Sequence, residues 1–236
     1  MLRIPVKIQR INWYDFSYHQ DLFLISGNVD PFQQYLTFTH QQCLRVEWHI
    51  TYEHLVNLYR FVLSSFGVDW SKHHLNCSSV SLLLISRRDY ITHARNPTAV
   101  VRRKIANEQE LESALRTRNP NFRIRSVQLE KLTFHQQLAL VASSDLMVGM
   151  HGAGLTHAMF LPDRSGLVEL VPGKLGAGNR HFQAIARWRG IEYERWTSQR
   201  QDEDDFQTNY KIYVPPEIID KLVRRVVSRL CSQSRL

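Results

Sequence analysis

The sequence is poor in cysteine and contains no long apolar run. Its three cysteines, Cys43, Cys77 and Cys231, are too few and too scattered for a disulfide framework or a zinc site. One pair could bridge in an oxidising compartment, which would leave one thiol over. No stretch approaches the roughly 20 apolar residues of a membrane-spanning helix. These absences argue against a disulfide-stapled miniprotein, a zinc finger and a transmembrane segment.

Targeting signals and repeats are lacking as well. Residues 1–10 have no apolar core of a signal peptide, and residues 232–236 carry no retention signal. Asn76-Cys77-Ser78 fits the N-glycosylation tripeptide, whereas Asn96-Pro97-Thr98 is excluded by its proline. One such tripeptide is expected by chance in a chain of 236 residues, so it does not decide the compartment.

Positive charge is in excess and favours an anionic ligand. The formal net charge is +8, but the basic residues are dispersed rather than gathered on one segment. A nucleic-acid binder is therefore the weaker interpretation, and it would show steeply salt-dependent affinity. The densest clusters are Arg87-Arg88, Arg102-Arg103-Lys104 and Arg224-Arg225. The first two fall near predicted strand ends, where a phosphate site would use them.

Predicted strands and helices alternate along most of the chain. Strands are predicted over 80–86, 122–127, 146–148, 166–171 and 191–196, and helices over 51–66, 104–116, 133–142, 155–160, 180–188 and 215–230. This alternation is typical of right-handed βαβ units on a parallel sheet. We therefore expect an α/β fold with a Rossmann-like parallel sheet over 51–236. Residues 1–50, with short alternating segments, are expected to form a partial or divergent N-terminal region.

Residues 149–158 carry the strongest functional signal. They follow an apolar run that predicts a buried strand, and they turn through Gly152 and Gly154 into a short predicted helix. Backbone N–H groups at a helix start, together with the helix dipole, suit a phosphate or diphosphate. The glycines let a ligand approach the backbone, and His151 adds a side-chain donor. Similar turns also occur without any ligand, so that alternative stays open.

Cations from neighbouring strand ends are expected to converge on this turn, because ligands of open α/β sheets sit outside the carboxyl ends of the strands. Arg87 follows the first predicted strand of the alternation. Arg103 and Lys104 lie at the start of the predicted helix 104–116, where the helix dipole disfavours a cation unless an anion offsets it. That conflict indicates a ligand, although solvation at the surface explains isolated cases equally well.

Three other positions have two interpretations each. Glu169 interrupts an apolar strand, and its buried carboxylate would need either the ribose hydroxyls of a nucleotide or a neighbouring arginine. His157 is interpreted as a packed histidine rather than a catalyst. Asp202-Glu203-Asp204 matches a pattern that binds a metal and a sugar diphosphate in some enzymes, but a solvated loop is preferred. No Ser/His/Asp or Cys/His arrangement and no Walker loop is evident.

The run Met-His-Gly-Ala-Gly-Leu-Thr-His at 150–157, followed by Phe-Leu-Pro at 160–162 and Val-Glu-Leu at 168–170, resembles the signature of a glycosyltransferase family. That family includes the EGF-domain-specific O-linked N-acetylglucosamine transferase, plant β-1,2-xylosyltransferase and protein O-mannose N-acetylglucosaminyltransferase. Supporting matches lie at 84–87, 103–105, 107–108, 110–111, 186–190 and 209–210. They keep order and approximate spacing from about residue 55 to residue 227.

The resemblance implies a GT-B architecture of two Rossmann-like domains, of which this chain supplies the C-terminal, nucleotide-sugar-binding domain over 51–236. It implies inverting transfer of N-acetylglucosamine from UDP-GlcNAc to Ser or Thr hydroxyls of EGF-like domains, in the endoplasmic reticulum lumen or Golgi. By motif match, the UDP portion would be bound by Arg87, Arg103, His151, Gly152, Ala153, Gly154, Leu155 and Glu169. No cofactor is required, no metal ligand is indicated although a divalent metal could take part, and the catalytic residues are not identified.

Departures from the family pattern leave alternatives open. The loop 88–102 is longer than expected, so Arg102 could replace Arg103. The upstream domain, with much of the acceptor groove, is missing or unrecognisable. Transfer of xylose to N-glycans is therefore a rival activity. A non-catalytic module that only binds a nucleotide sugar is another.

Overall fold

The structure, a computed structural model, describes residues 52–90, 100–173, 180–199 and 211–232. Within this part of the chain, five parallel strands form one sheet in the order β2-β1-β3-β4-β5. The strands are β1 (Ser81–Ile85), β2 (Arg123–Val127), β3 (Leu146–Met150), β4 (Gly166–Val171) and β5 (Glu192–Thr197). The helices are α1 (Tyr52–Ser65), α2 (Glu108–Arg118), α3 (Phe134–Ala142), α4 (His181–Arg189) and α5 (Pro216–Ser232), with a 3₁₀ helix over Ala153–Phe160. The predicted α/β class with a parallel sheet is confirmed.

The central strands are buried on both faces, as expected for a parallel sheet covered by helices. Every residue of β3 and β4 is buried, whereas β2 and β5 at the two edges are more exposed. Leu111 and Leu115 of α2 share a buried apolar cluster with alternate residues of β1 and β3 and with Val223 and Val226 of α5. The apolar runs seen in the sequence therefore form a rigid core, and this core holds the loops at the strand ends in place.

Local sequence signals set several helix ends. The Thr133 hydroxyl accepts from the backbone N–H of Gln136, and the Gln136 side chain accepts from the backbone N–H of Thr133, which completes a capping box at the start of α3. At the other kind of end, Gly190 closes α4 with φ 63°, a left-handed conformation that glycine adopts without penalty. Both helices agree with the predicted ranges 133–142 and 180–188 to within one residue at each end.

Two predicted helices differ from the structure. The element after the glycine turn is a 3₁₀ helix rather than an α-helix, and α2 begins at Glu108 instead of residue 104. The helix starts later because the backbone of residues 104–106 pairs with Ile212: Ala106 N donates to Ile212 O, and Ile212 N donates to Lys104 O. The Asn107 side chain adds to this pairing, since it donates to Val214 O and accepts from Val214 N. The dipole argument for Arg103 and Lys104 was therefore wrong. Lys104 pairs instead with Asp89, with nitrogen–oxygen distances of 2.6 Å.

A disulfide joins Cys77, in the loop before β1, to Cys231 in α5, across 154 residues of sequence. Cross-linking so long a loop restricts the unfolded chain strongly. Close by, His73 Nε2 lies 2.8 Å from Asp145 Oδ1, and Asp145 Oδ2 accepts from Ser81 N. These contacts tie the start of β1 to the start of β3. No described helix has the length and apolarity needed to cross a bilayer.

Candidate functional site

The order of the strands creates a crevice between the carboxyl ends of β1 and β3. From β1 the chain moves outward to β2 on one side and then returns to β3 on the other, so the winding direction reverses between β1 and β3. Ligands of doubly wound sheets bind at such switch points. Arg87 follows β1 directly, and the turn from His151 into the 3₁₀ helix follows β3. Both sequence-predicted features therefore lie at the same edge of the sheet.

The Arg87 guanidinium packs directly against the backbone of Gly152. A methyl group in place of the glycine hydrogen would overlap Arg87 Nη1. Arg87 Nε and Nη2 both donate to the carbonyl oxygen of Arg102, at 3.3 and 3.2 Å. That carbonyl fixes one edge of the guanidinium and leaves Nη1 on the glycine side. Burial lowers the pKa of Arg87 below the usual arginine value.

The turn itself offers backbone donors. His151, Gly152 and Leu155 are buried, whereas Ala153 and Gly154 are partly exposed. The first N–H groups of a helix have no partner within that helix, and Ala153 and Gly154 hold these positions at the 3₁₀ start. We call residues 151–155 the elbow. Because Arg87 lies against Gly152, a positive charge is placed next to the backbone N–H groups of the elbow, an arrangement that suits a diphosphate.

Three hydrogen-bonded side chains, those of His151, Glu169 and Tyr193, anchor the first residue of the elbow to β4 and β5. His151 Nδ1 contacts Glu169 Oε1, and the Tyr193 hydroxyl donates to Glu169 Oε2. Glu169 is 0% exposed and His151 5%. His151 Nε2 makes no hydrogen bond within the described part of the chain. The contact with Glu169 therefore orients the imidazole through Nδ1 and leaves Nε2 able to bond to a ligand.

These three side chains show how the buried Glu169 carboxylate is hydrogen-bonded. The sequence left two alternatives, a ribose or an arginine; in the structure His151 and Tyr193 contact the two carboxylate oxygens, and neither alternative is tested by these contacts. Tyr193 was missed because its role depends on sheet register. Leu167 pairs with Tyr193 and Glu169 with Arg195, so Glu169 and Tyr193 project from the same face of neighbouring strands. Burial, together with the neighbouring Glu169 carboxylate, raises the pKa of the Tyr193 phenol, which stays a hydrogen-bond donor.

Arg103 lies in the loop before α2 with a partly exposed side chain. Its backbone is left-handed, with φ 62°, an uncommon conformation for a residue that carries a side chain. Of Arg102, it is the carbonyl that reaches Arg87. Among the described residues, no group of three or more His, Cys, Asp or Glu side chains is arranged to hold a metal. Asp202-Glu203-Asp204 and residues 1–50 lie outside the described residues.

His157 packs into the protein under the 3₁₀ helix. Its Nε2 lies 2.8 Å from Gln137 Oε1, and its Nδ1 lies 3.2 Å from Gly154 O. The Gln137 amide nitrogen donates to Leu129 O and Leu132 O, which fixes its oxygen as the atom facing the histidine. The ring is buried against Phe134 and Phe160. These contacts agree with the interpretation of His157 as a packed residue.

Acid is expected to destabilise the protein through His157. Burial lowers the pKa of His157 from 6.5 to about 4. Between these two pH values, His157 is mostly protonated in the unfolded chain and mostly neutral in the folded chain. The free energy of unfolding should therefore fall as pH drops from about 6.5 to about 4, by about 3 kcal/mol in total. Urea unfolding across this range should show a flatter pH dependence for His157→Gln. The exposed His135→Gln variant should follow the wild type, and parallel curves for all three proteins would contradict the assignment.

Comparison with known proteins places the chain in a family. The model of the Glycosyltransferase 61 family matches residues 30–168, more than half of the chain. The mouse EGF domain-specific O-linked N-acetylglucosamine transferase is 42% identical over 96 residues, and the Drosophila melanogaster protein of that name is 37% identical over 94. These matches cover 40% of this chain and 18% and 17% of the two relatives. The chain thus matches less than a fifth of the length of these relatives. On the family match, the chain belongs to the Glycosyltransferase 61 family.

Proposed function

We propose that the elbow binds the diphosphate of UDP-GlcNAc, and that the chain takes part in transfer of N-acetylglucosamine to Ser or Thr hydroxyls of EGF-like domains. One observation carries the proposal: the Arg87 guanidinium lies on Gly152 where the winding of the sheet reverses. The names of the relatives supply the sugar and the acceptor.

The proposed catalysis is electrostatic. When the bond between the sugar and the β-phosphate breaks, negative charge grows on the leaving diphosphate. Donors already aimed at that position stabilise the transition state most, since they need not reorganise during the reaction. Arg87 supplies a fixed positive charge and the elbow supplies backbone N–H groups. Arg103, in its left-handed turn beside the carbonyl that holds Arg87, is proposed as a second cation.

Glu169 is proposed to act through His151 rather than through the ribose. Both carboxylate oxygens already have partners, and the residue has no exposed surface. An anionic carboxylate on Nδ1 favours a proton there, which leaves Nε2 of the neutral ring as a hydrogen-bond acceptor for a ligand hydroxyl group. Tyr193, by occupying the other oxygen, keeps the carboxylate in this position.

The wider architecture is proposed from the family. The described domain would be the C-terminal, donor-binding half of a GT-B enzyme that uses no obligatory cofactor and inverts the anomeric centre. A lumenal location in the endoplasmic reticulum or Golgi is supported by the Cys77–Cys231 disulfide, because disulfides persist in oxidising compartments. The acceptor would be a folded glycoprotein domain.

Calorimetry with UDP tests the donor site. Arg87→Ala and Arg103→Ala are each expected to lose at least about tenfold in affinity, because hydrogen bonds to charged groups contribute about 1.5–3 kcal/mol. Arg88→Ala is the matched control, since Arg88 is exposed and pairs with Glu108. Unchanged affinity in folded Arg87→Ala would reject the site.

A transfer assay tests the reaction. Incubation with UDP-GlcNAc and a folded EGF-like repeat should glycosylate the repeat if the chain holds the catalytic groups. UDP binding without transfer would favour the non-catalytic nucleotide-sugar-binding module instead. Comparison of UDP-GlcNAc with UDP-xylose in the same assay would show whether the rival sugar is preferred.

A further inference from the structure

Asn76 lies in a surface turn that the proposed transferase site does not use. Its side chain is exposed, and its Oδ1 accepts from the backbone N–H of Ser78 at 2.9 Å. The Asn76 carbonyl accepts from Ser79 N at 3.0 Å, which closes the turn. Its amide nitrogen Nδ2 makes no hydrogen bond within the described part of the chain. Asn76-Cys77-Ser78 therefore presents a free amide nitrogen in a tripeptide of N-glycosylation type.

The central residue of this tripeptide is itself modified. Cys77 is bonded to Cys231, so the structure places Asn76 next to a disulfide. Disulfides of this kind form in the secretory pathway, the compartment in which N-glycans are added. A tripeptide match alone is weak evidence, but the disulfide supplies an independent reason to put this turn in that compartment.

We propose that Asn76 is N-glycosylated, and that the glycan is added before the neighbouring disulfide closes. The sugar donor is a lipid-diphosphate-linked oligosaccharide of the secretory pathway. Asn76 Nδ2 forms a bond to the anomeric carbon, the bond from that carbon to the phosphate oxygen breaks, the lipid diphosphate leaves, and Nδ2 loses one proton. No oxidant or metal redox step is involved.

The spacing of the two cysteines allows this order of events. Cys231 is made 154 residues after Cys77. At about 5–20 residues per second, Cys77 waits roughly 8–30 s for its native partner. During that time the tripeptide is open, and Cys43 is the other cysteine already synthesised. The event that competes with glycosylation is therefore a premature disulfide between Cys77 and another cysteine, and not formation of the native Cys77–Cys231 bond.

A glycan at Asn76 is compatible with the elbow because the two lie at opposite ends of the sheet. Asn76 precedes β1, whereas Arg87 and the elbow follow the carboxyl ends of β1 and β3. Five strand residues span roughly 17 Å. Asn76→Gln is thus expected to leave UDP affinity within about twofold, because no elbow contact changes. The inference does not depend on the proposed transferase activity.

Expression of the full chain behind a cleavable secretion leader in cultured eukaryotic cells tests the proposal. Lumenal protein should show an endoglycosidase-sensitive mobility shift that Asn76→Gln and Ser78→Ala both lose. Ser78→Thr preserves the tripeptide and should keep the shift. Cys77→Ser also preserves it, as Asn-Ser-Ser, and should be glycosylated as fully as the wild type or more fully. Asn96, blocked by Pro97, should carry nothing in any variant.

Two results would overturn the proposal. Lumenal wild-type protein that contains the Cys77–Cys231 bond but lacks the shift would show that Asn76 is not used. A shift that persists in both Asn76→Gln and Ser78→Ala would place the glycan elsewhere. The test stays valid if Asn76→Gln or Ser78→Ala fails to fold. The mobility shifts of Ser78→Ala and Ser78→Thr are compared on protein that is in the lumen and not yet secreted.

Discussion

Gly152→Ala is expected to weaken UDP binding at least about tenfold while leaving the free energy of unfolding nearly unchanged. A β-carbon at this position would occupy the space of Arg87 Nη1. The guanidinium is the free end of a flexible side chain, so it can swing away at little cost to the fold. It would then leave the carbonyl of Arg102 and the diphosphate position together. The loss of one charge-assisted contact corresponds to about 1.5–3 kcal/mol, which is tenfold or more in affinity.

Gly154→Ala is the matched control for this effect. Its added carbon would lie 3.2 Å from Ile85 Cγ2, on the side of the core and away from Arg87. Calorimetry with UDP should therefore show a much smaller loss than for Gly152→Ala. Thermal unfolding of both variants checks that the fold survives. Equal affinity of the wild type and Gly152→Ala would mean that Arg87 does not bind the ligand from its observed position.

The sheet could be predicted because its signals are local. Apolar runs bounded by turn residues define β1, β3 and β4, and parallel pairing follows from alternation with helices. Thr133 and Gly190 mark helix ends by their own chemistry, through a side-chain acceptor and a left-handed backbone. The meeting of Arg87 with the elbow also follows from position, since both end a strand at the same edge.

The contacts that the sequence could not supply depend on register and on distant segments. Tyr193 reaches Glu169 only because β5 pairs with β4 in a particular register, and a shift of one residue would turn Tyr193 to the other face. Likewise α2 starts late because Ile105 and its neighbours pair with the distant Ile212. Neither contact can be recognised from the residues that neighbour Glu169 or the start of α2 in the sequence.

Arg189→Met is expected to lower the free energy of unfolding by about 3 kcal/mol or more. Arg189 is 2% exposed, and its guanidinium donates to Met159 O at 2.9 Å and to Leu161 O at 2.8 Å. It also lies 3.7 Å from the ring centre of Tyr59 in α1. Methionine fills similar space but leaves both carbonyls without these donors.

The size of this effect follows from what Arg189 joins. Met159 and Leu161 lie at the end of the 3₁₀ helix that begins in the elbow, so one side chain on α4 ties that helix to α1. Arg187→Met, two positions earlier on the exposed face of α4, is the control and should change urea unfolding by less than about 0.5 kcal/mol. If the two variants have the same free energy of unfolding, the hydrogen bonds of the buried guanidinium do not stabilise the fold, and Arg189 contributes only by filling space. If Arg189→Met alone is destabilised, UDP affinity measured on its remaining folded fraction should also fall, because the elbow would then rest on a loosened helix.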